Sequence, residues 1–170
     1  SARGSYTGIW TGTEMIVWGG VDITDQVLNT GVKYNPTTNT WTPMTTADAP
    51  SARYSHTAIW TGMEMIVWGG RDNTNQYLNT GAKYNPTTNT WTPMTTTDAP
   101  SGRYVHTAIW TGTEMIIWGG YDITNQYLNT GAKYNPTTNT WTPMTTTDAP
   151  ASRFAHTPIW TGTDMIIWGG

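Results

Sequence analysis

An all-β chain of repeated blades is the fold class the sequence predicts, and three observations predict it. The first is a period of 50 residues, which yields units 1–50, 51–100 and 101–150 and a fragment, 151–170. The second is the content of each unit: short runs rich in β-branched and aromatic residues, separated by Gly, Pro, Asn and Thr. The third is that no window places apolar residues at helical spacing, and every candidate segment is shorter than about ten residues. Units two and three differ at only six positions, 52, 55, 63, 67, 71 and 73. Such near-identity fits recent amplification or deliberate engineering. A period of about 40 to 50 residues points to a propeller or a solenoid.

In the second unit the elements follow in order. His56–Trp60 reads as a strand closed by the turn residues Thr61-Gly62. Glu64–Trp68 is rich in apolar and β-branched residues, as a strand buried on both faces is. After Gly69-Gly70 comes a polar connection, Arg71–Thr80, and then a third strand, Gly81–Asn85. Asn85-Pro86-Thr87-Thr88-Asn89 is a strong turn signal, and Thr90–Met94 is the fourth strand. Residues Thr95–Ser101, with Pro100, lead into the next unit. Pro86 and Pro93 fit, because proline is tolerated at turns and on strands with a free edge. Four short antiparallel strands side by side make one blade of a propeller.

The fixed landmarks of each unit carry a resemblance. A double glycine (Gly19-Gly20, Gly69-Gly70, Gly119-Gly120) is followed, thirteen residues intervening, by Tyr34, Tyr84 or Tyr134. Six further residues lead to Trp41, Trp91 or Trp141. An Arg-x-x-His start recurs as Arg53 and His56, Arg103 and His106, Arg153 and His156. This set resembles the kelch repeat along the whole chain. The resemblance implies a kelch-type β-propeller: the strand before the glycines second from the central axis, the Trp strand near the rim. The first unit departs from it, with Gly4 in place of Tyr54 and Tyr6 in place of His56, so the packing of its first strand is open.

Composition excludes several functions. Charged residues make up 11% and the net charge is −3 with no basic run, which argues against a nucleic-acid partner. No apolar run approaches the roughly 18 residues of a membrane span, and no signal peptide is visible. There is no cysteine, hence no disulfide, thiolate metal site or cysteine nucleophile. Some kelch propellers are copper oxidases with a cysteine-crosslinked tyrosine; that arrangement is excluded here. No cofactor is expected. Few charges, abundant Thr and Asn, and no cysteine suit a secreted bacterial protein better than a eukaryotic cytosolic adaptor.

Most of the recurrent residues read as structural. The glycines allow a sharp turn, or a close approach to the next blade where a Cβ would collide. The eleven tryptophans fall at repeating positions and are expected to pack between blades, the rival reading being a sugar-stacking platform. The histidines and arginines are expected to satisfy backbone carbonyls within or between blades rather than hold a metal. Glu64, Glu114 and Asp164, at the start of the second strand, are candidates to pair with those arginines. Every acidic residue recurs with the period, and Ser55 and Ser101 lack consistent partners, so no catalytic constellation is expected.

The connection after the glycines carries differences between the units, positions 71 and 73 among them, and loops at one end of a propeller carry binding sites. The candidates there are Asp22 and Asp25; Arg71, Asp72, Asn75 and Tyr77; and Tyr121, Asp122, Asn125 and Tyr127. Asp, Asn, Gln and Tyr suit hydrogen bonding to a sugar or a protein surface. Polar capping of the turn is the plainer reading, and a calcium site at Asp22 and Asp25 a remote one.

Three units supply twelve strands, and 155–169 supply the inner pair of a fourth blade. Propellers close with about four to eight blades. An open arc exposes apolar end faces; roughly 500 Å² at ~25 cal/mol/Å² is worth on the order of 10 kcal/mol per junction before association costs. The expectation is a non-enzymatic scaffold that self-associates to complete its ring and offers a loop face to a protein ligand. A glycan-binding propeller with one site per blade is the alternative.

Overall fold

The computed structural model describes residues 2–170, and among them there is no helix. Three sheets have four antiparallel strands each, and residues Thr157–Trp160 and Met165–Trp168 form a two-stranded hairpin at the end. In the second blade the strands are Thr57–Trp60, Met65–Trp68, Gly81–Asn85 and Thr90–Pro93, bonded in that order. The first and third blades repeat this with Thr7–Trp10, Met15–Trp18, Gly31–Asn35 and Thr40–Pro43, and with Thr107–Trp110, Met115–Trp118, Gly131–Asn135 and Thr140–Pro143. First strands of successive blades touch one another, so they lie innermost. The strand before the glycines is second and the Trp strand is outermost, as the kelch resemblance implies.

Strand ends differ from the sequence reading by one residue. His56 lies outside the ladder because its ring turns into the preceding blade. Glu64 closes the turn instead: its amide donates to the Thr61 hydroxyl at 2.9 Å and its carbonyl accepts from the Thr61 amide at 3.0 Å. Met94 follows the last strand, its amide still donating to the Gly81 carbonyl. The polar connection also contributes short antiparallel pairings. Arg3–Gly4 pairs with Val21–Asp22 in the first blade, and Arg71 bridges both Tyr54 and Tyr77 in the second.

Alternation along the strands builds the core. Met65 and Val67 face the first blade; Ile66 and Trp68 face the third. All four are buried, as a strand covered on both faces requires. Register continues the first row across the blade, Met65 opposite Tyr84 and Tyr84 opposite Trp91. That row, with Val67 and Ala82, packs on Ile16, Trp18 and Met44 of the first blade. The same packing recurs one junction later, where Met115, Ile117, Ala132, Tyr134 and Trp141 cover Ile66, Trp68 and Met94.

The end faces lack this cover. Met15–Trp18 buries only alternate residues, and Met165–Trp168 exposes Ile166 and Trp168. Trp41 is 55% exposed although its counterparts Trp91 and Trp141 are 5% exposed. Uniform packing of the tryptophans between blades therefore fails at both ends, where among the described residues no further blade covers Trp41 or Trp168.

Candidate functional site

Three surfaces are candidates: the blade junctions near the axis, the loop face, and the two end faces. At each junction an Arg-x-x-His segment crosses from blade to blade. The Arg53 guanidinium is buried and donates to the carbonyls of Ser51, Gly69 and Thr80 and to the hydroxyls of Ser51 and Thr80, at 2.7–3.1 Å. Burial pulls it down to about 10, opposed by Asp72, so it keeps its charge at neutral pH. Arg103 repeats the set with Ser101, Gly119 and Thr130. Arg153 donates to Ala151 and Gly169. These arginines bond carbonyls, as expected, and not the carboxylates proposed for them. Glu64 lies 3.7 Å from Lys83 instead, and Glu14 lies 3.8 Å from Lys33. Lysine is the partner because it stands next to that turn across the ladder, Lys83 opposite Ile66.

Each histidine reaches back one blade, and its partner is a hydroxyl rather than a carbonyl. His56 Nε2 lies 2.8 Å from the Thr7 hydroxyl, His106 Nε2 2.9 Å from Thr57, and His156 Nε2 2.6 Å from Thr107. The His56 ring meets Trp18 edge-on at 5.2 Å. Gly19 makes room for it: φ is +70°, and an added Cβ would sit 2.6 Å from His56 Cε1. The Gly70 amide then donates to the Arg103 carbonyl of the next blade, which ties the double glycine to the junction. Burial holds His56 down to about 3, with Arg53 adding to the effect. A buried neutral imidazole bonded to threonine supports packing. Among the described residues no three His, Asp or Glu side chains gather as metal ligands.

The loop face divides into a scaffold and a displayed part. Asp22, Asp72 and Asp122 face their own loops: Asp72 Oδ1 accepts from the Thr74 amide and hydroxyl and the Gln76 amide at 2.8–2.9 Å. Asp22 and Asp122 do the same. Asp25, Asn75 and Asn125 occupy the left-handed region at φ 61°, 64° and 57°, which suits Asp and Asn. The displayed part is aromatic. Tyr77 packs on Tyr104 with ring centres 4.8 Å apart and planes tilted by 43°, and donates its hydroxyl to Asn125 Oδ1; Arg71 lies 5.4 Å over Tyr77, and Tyr121 meets Tyr127 and Phe154 at 4.8 and 4.4 Å. No tryptophan takes part. Sequence reading missed Tyr54, Tyr104 and Phe154, which lie far from the loop in the chain; their antiparallel pairing to positions 71 and 121 brings Tyr54 and Tyr104 there.

Over residues 5–170 the chain matches the family model described as the KLHDC2/KLHL20/DRC7 Kelch-repeats domain. It belongs to the Kelch-repeat family. No curated protein matches it. Kelch-repeat domains are generally protein-interaction scaffolds and typically non-enzymatic. In Kelch terms, the residues that define the repeat (Gly-Gly, Tyr, Trp, Arg and His) serve the blade junctions. Several of the residues that vary between units, 21, 27, 71 and 73 among them, lie on the loop face, whereas Val67 varies inside the core.

Proposed function

We propose that this Kelch chain is a non-enzymatic interaction scaffold that completes its propeller by self-association and leaves the loop face for a partner. One observation carries the reading: the two end faces are the separate halves of the packing already used inside the molecule. The first blade presents Met15, Val17, Val32, Tyr34 and Trp41, the counterparts of Met65, Val67, Ala82, Tyr84 and Trp91. The terminal hairpin presents Ile166 and Trp168, counterparts of Ile16 and Trp18, with Trp168 83% exposed. A contact of this kind is head-to-tail, so it closes a ring if the rotation allows. The outer edge of Met165–Trp168 also pairs with no strand among the described residues, in contrast to Met65–Trp68, which pairs with Gly81–Asn85.

Light scattering on a sizing column tests it. The chain is expected to elute as an oligomer, and Trp168→Asp and Val17→Asp as monomers that form a heterodimer when mixed, through the one intact junction. A monodisperse wild-type monomer with cooperative melting would overturn the reading. A glycan-binding face is the second reading, supported by the cluster of tilted rings of Tyr77, Tyr104, Tyr121 and Phe154 beside Asn125. Binding on a glycan array that is lost in Tyr121→Ala would favour it.

A further inference from the structure

The loop between the first and second blades contains the seat of a tyrosine without the tyrosine. One junction on, the seat is filled. Tyr77 lies with its ring 4.8 Å from Tyr104 and its hydroxyl 3.2 Å from Asn125 Oδ1. In the first blade the residue at this position is Val27, and the counterparts of Tyr104 and Asn125 are Tyr54 and Asn75. Val27, Tyr54 and Asn75 line one open cleft of about 340 Å³, with Val21, Asp25 and Asp72 around them. That volume is at the lower end of the ~300–1,000 Å³ range of small-ligand sites. Among the described residues no hydroxyl donates to the Asn75 side chain.

We infer that the Val27 cleft binds the phenol ring of a tyrosine side chain supplied by a partner polypeptide. The ring stacks on Tyr54, its edge rests on Val27 and Val21, and its hydroxyl donates to Asn75, which reproduces the contacts Tyr77 makes one blade away. A tyrosine is favoured over a sugar because the chain itself places a phenol in the equivalent seat. The source of the ring rests on the reading of the loop face as a protein-binding surface; the affinity for a phenol does not.

N-acetyltyrosinamide is the probe, titrated into the chain and followed by the amide resonances of Asn75 and Tyr54. Saturable shifts confined to this loop are expected, with N-acetylphenylalaninamide several-fold weaker because it lacks the hydroxyl. Val27→Tyr fills the seat: affinity should fall at least tenfold while the melting temperature is unchanged or raised. Asn75→Ala should reduce the preference for tyrosine over phenylalanine. The monomeric Trp168→Asp variant should bind as the wild type does, which separates this site from ring closure. Equal binding of the two amides, a glucose or galactose titration that shifts the same resonances more strongly, undiminished binding by Val27→Tyr, or a lowered melting temperature for that variant would each overturn the proposal.

Discussion

Trp91 of the second blade covers Trp18 of the first, their rings 5.4 Å apart and inclined at 59°, and the Trp91 indole N–H donates to the Thr45 carbonyl at 3.1 Å. Trp141 stands in the same way over Trp68 and donates to Thr95. One rim tryptophan thus closes each junction between full blades from outside, whereas Trp41 of the first blade is 55% exposed.

Trp91→Ala should therefore destabilise the chain by about 3–5 kcal/mol, the usual cost of deleting a buried Trp, and Trp141→Ala by a similar amount. Trp41→Ala should cost under about 0.5 kcal/mol in a monomeric variant, in line with an exposed position. Urea denaturation followed by far-UV circular dichroism measures all three. Equal losses at positions 41 and 91 would contradict the closing role.

Arg53 uses all its N–H donors on one carbonyl and hydroxyl cage. Lysine has a point charge and no fork, so Arg53→Lys leaves buried carbonyls unpaired and should cost about 2–4 kcal/mol. At Arg3, which among the described residues donates to Gly19 and Thr30 and is partly exposed, the same change should cost about 1 kcal/mol or less, because water can reach the groups it leaves. Chemical denaturation of both variants checks the ratio.

Acid should loosen the junctions first. His56 is pushed down to about 3 by burial and then by Arg53, and His106 is held well below its ordinary value by burial and then by Arg103. Unfolded imidazoles titrate near about 6.5, so below that pH the unfolded chain binds protons that the folded chain refuses. The stabilisation is present in full above about pH 6.5 and is lost as pH falls, by about 1.4 kcal/mol per pH unit for each of these histidines. Asp22 and Asp122, lowered chiefly by the Thr24 and Thr124 hydroxyls, add a second loss only below the ordinary carboxylate range. Denaturation midpoints at pH 7, 6 and 5 should fall with this slope, and His56→Asn should flatten it.

A backbone chain runs around the inner ends of the blades: the Ser55 amide donates to Ser5, Val105 to Ser55 and Ala155 to Val105. All four residues have φ of 50–53°, and Val105 is β-branched, which makes this conformation costly. Val105→Asn should stabilise by about 1 kcal/mol, because Asn tolerates the left-handed region. Ser55→Val should destabilise by a similar amount. Thermal melting of the pair decides it.

The loop-face residues were partly legible in advance. Asp72 and Asn75 lie in a stretch of turn residues, and their roles follow from neighbours two to four positions away. The arginine and glutamate pairing was not legible, because the competing partner of Glu64 is a lysine on another strand of the blade, Lys83. Nor was the empty seat at Val27, which appears only when Tyr54 and Asn75 are brought beside it.

By itself the sequence determined the repeat, the order of the strands, the glycine turns and the class of fold, all of which depend on contacts within a few residues or across one hairpin. Only the tertiary structure decided which partner each recurring side chain takes. His56 bonds Thr7 from 49 residues away and Lys33 bonds Pro86 from 53, the partner lying in the adjacent unit in each case. In a chain of near-identical units every such residue has an equivalent partner in its own blade and in the next. Local pattern is the same for both, so the choice between them is made by the packing of one blade on another.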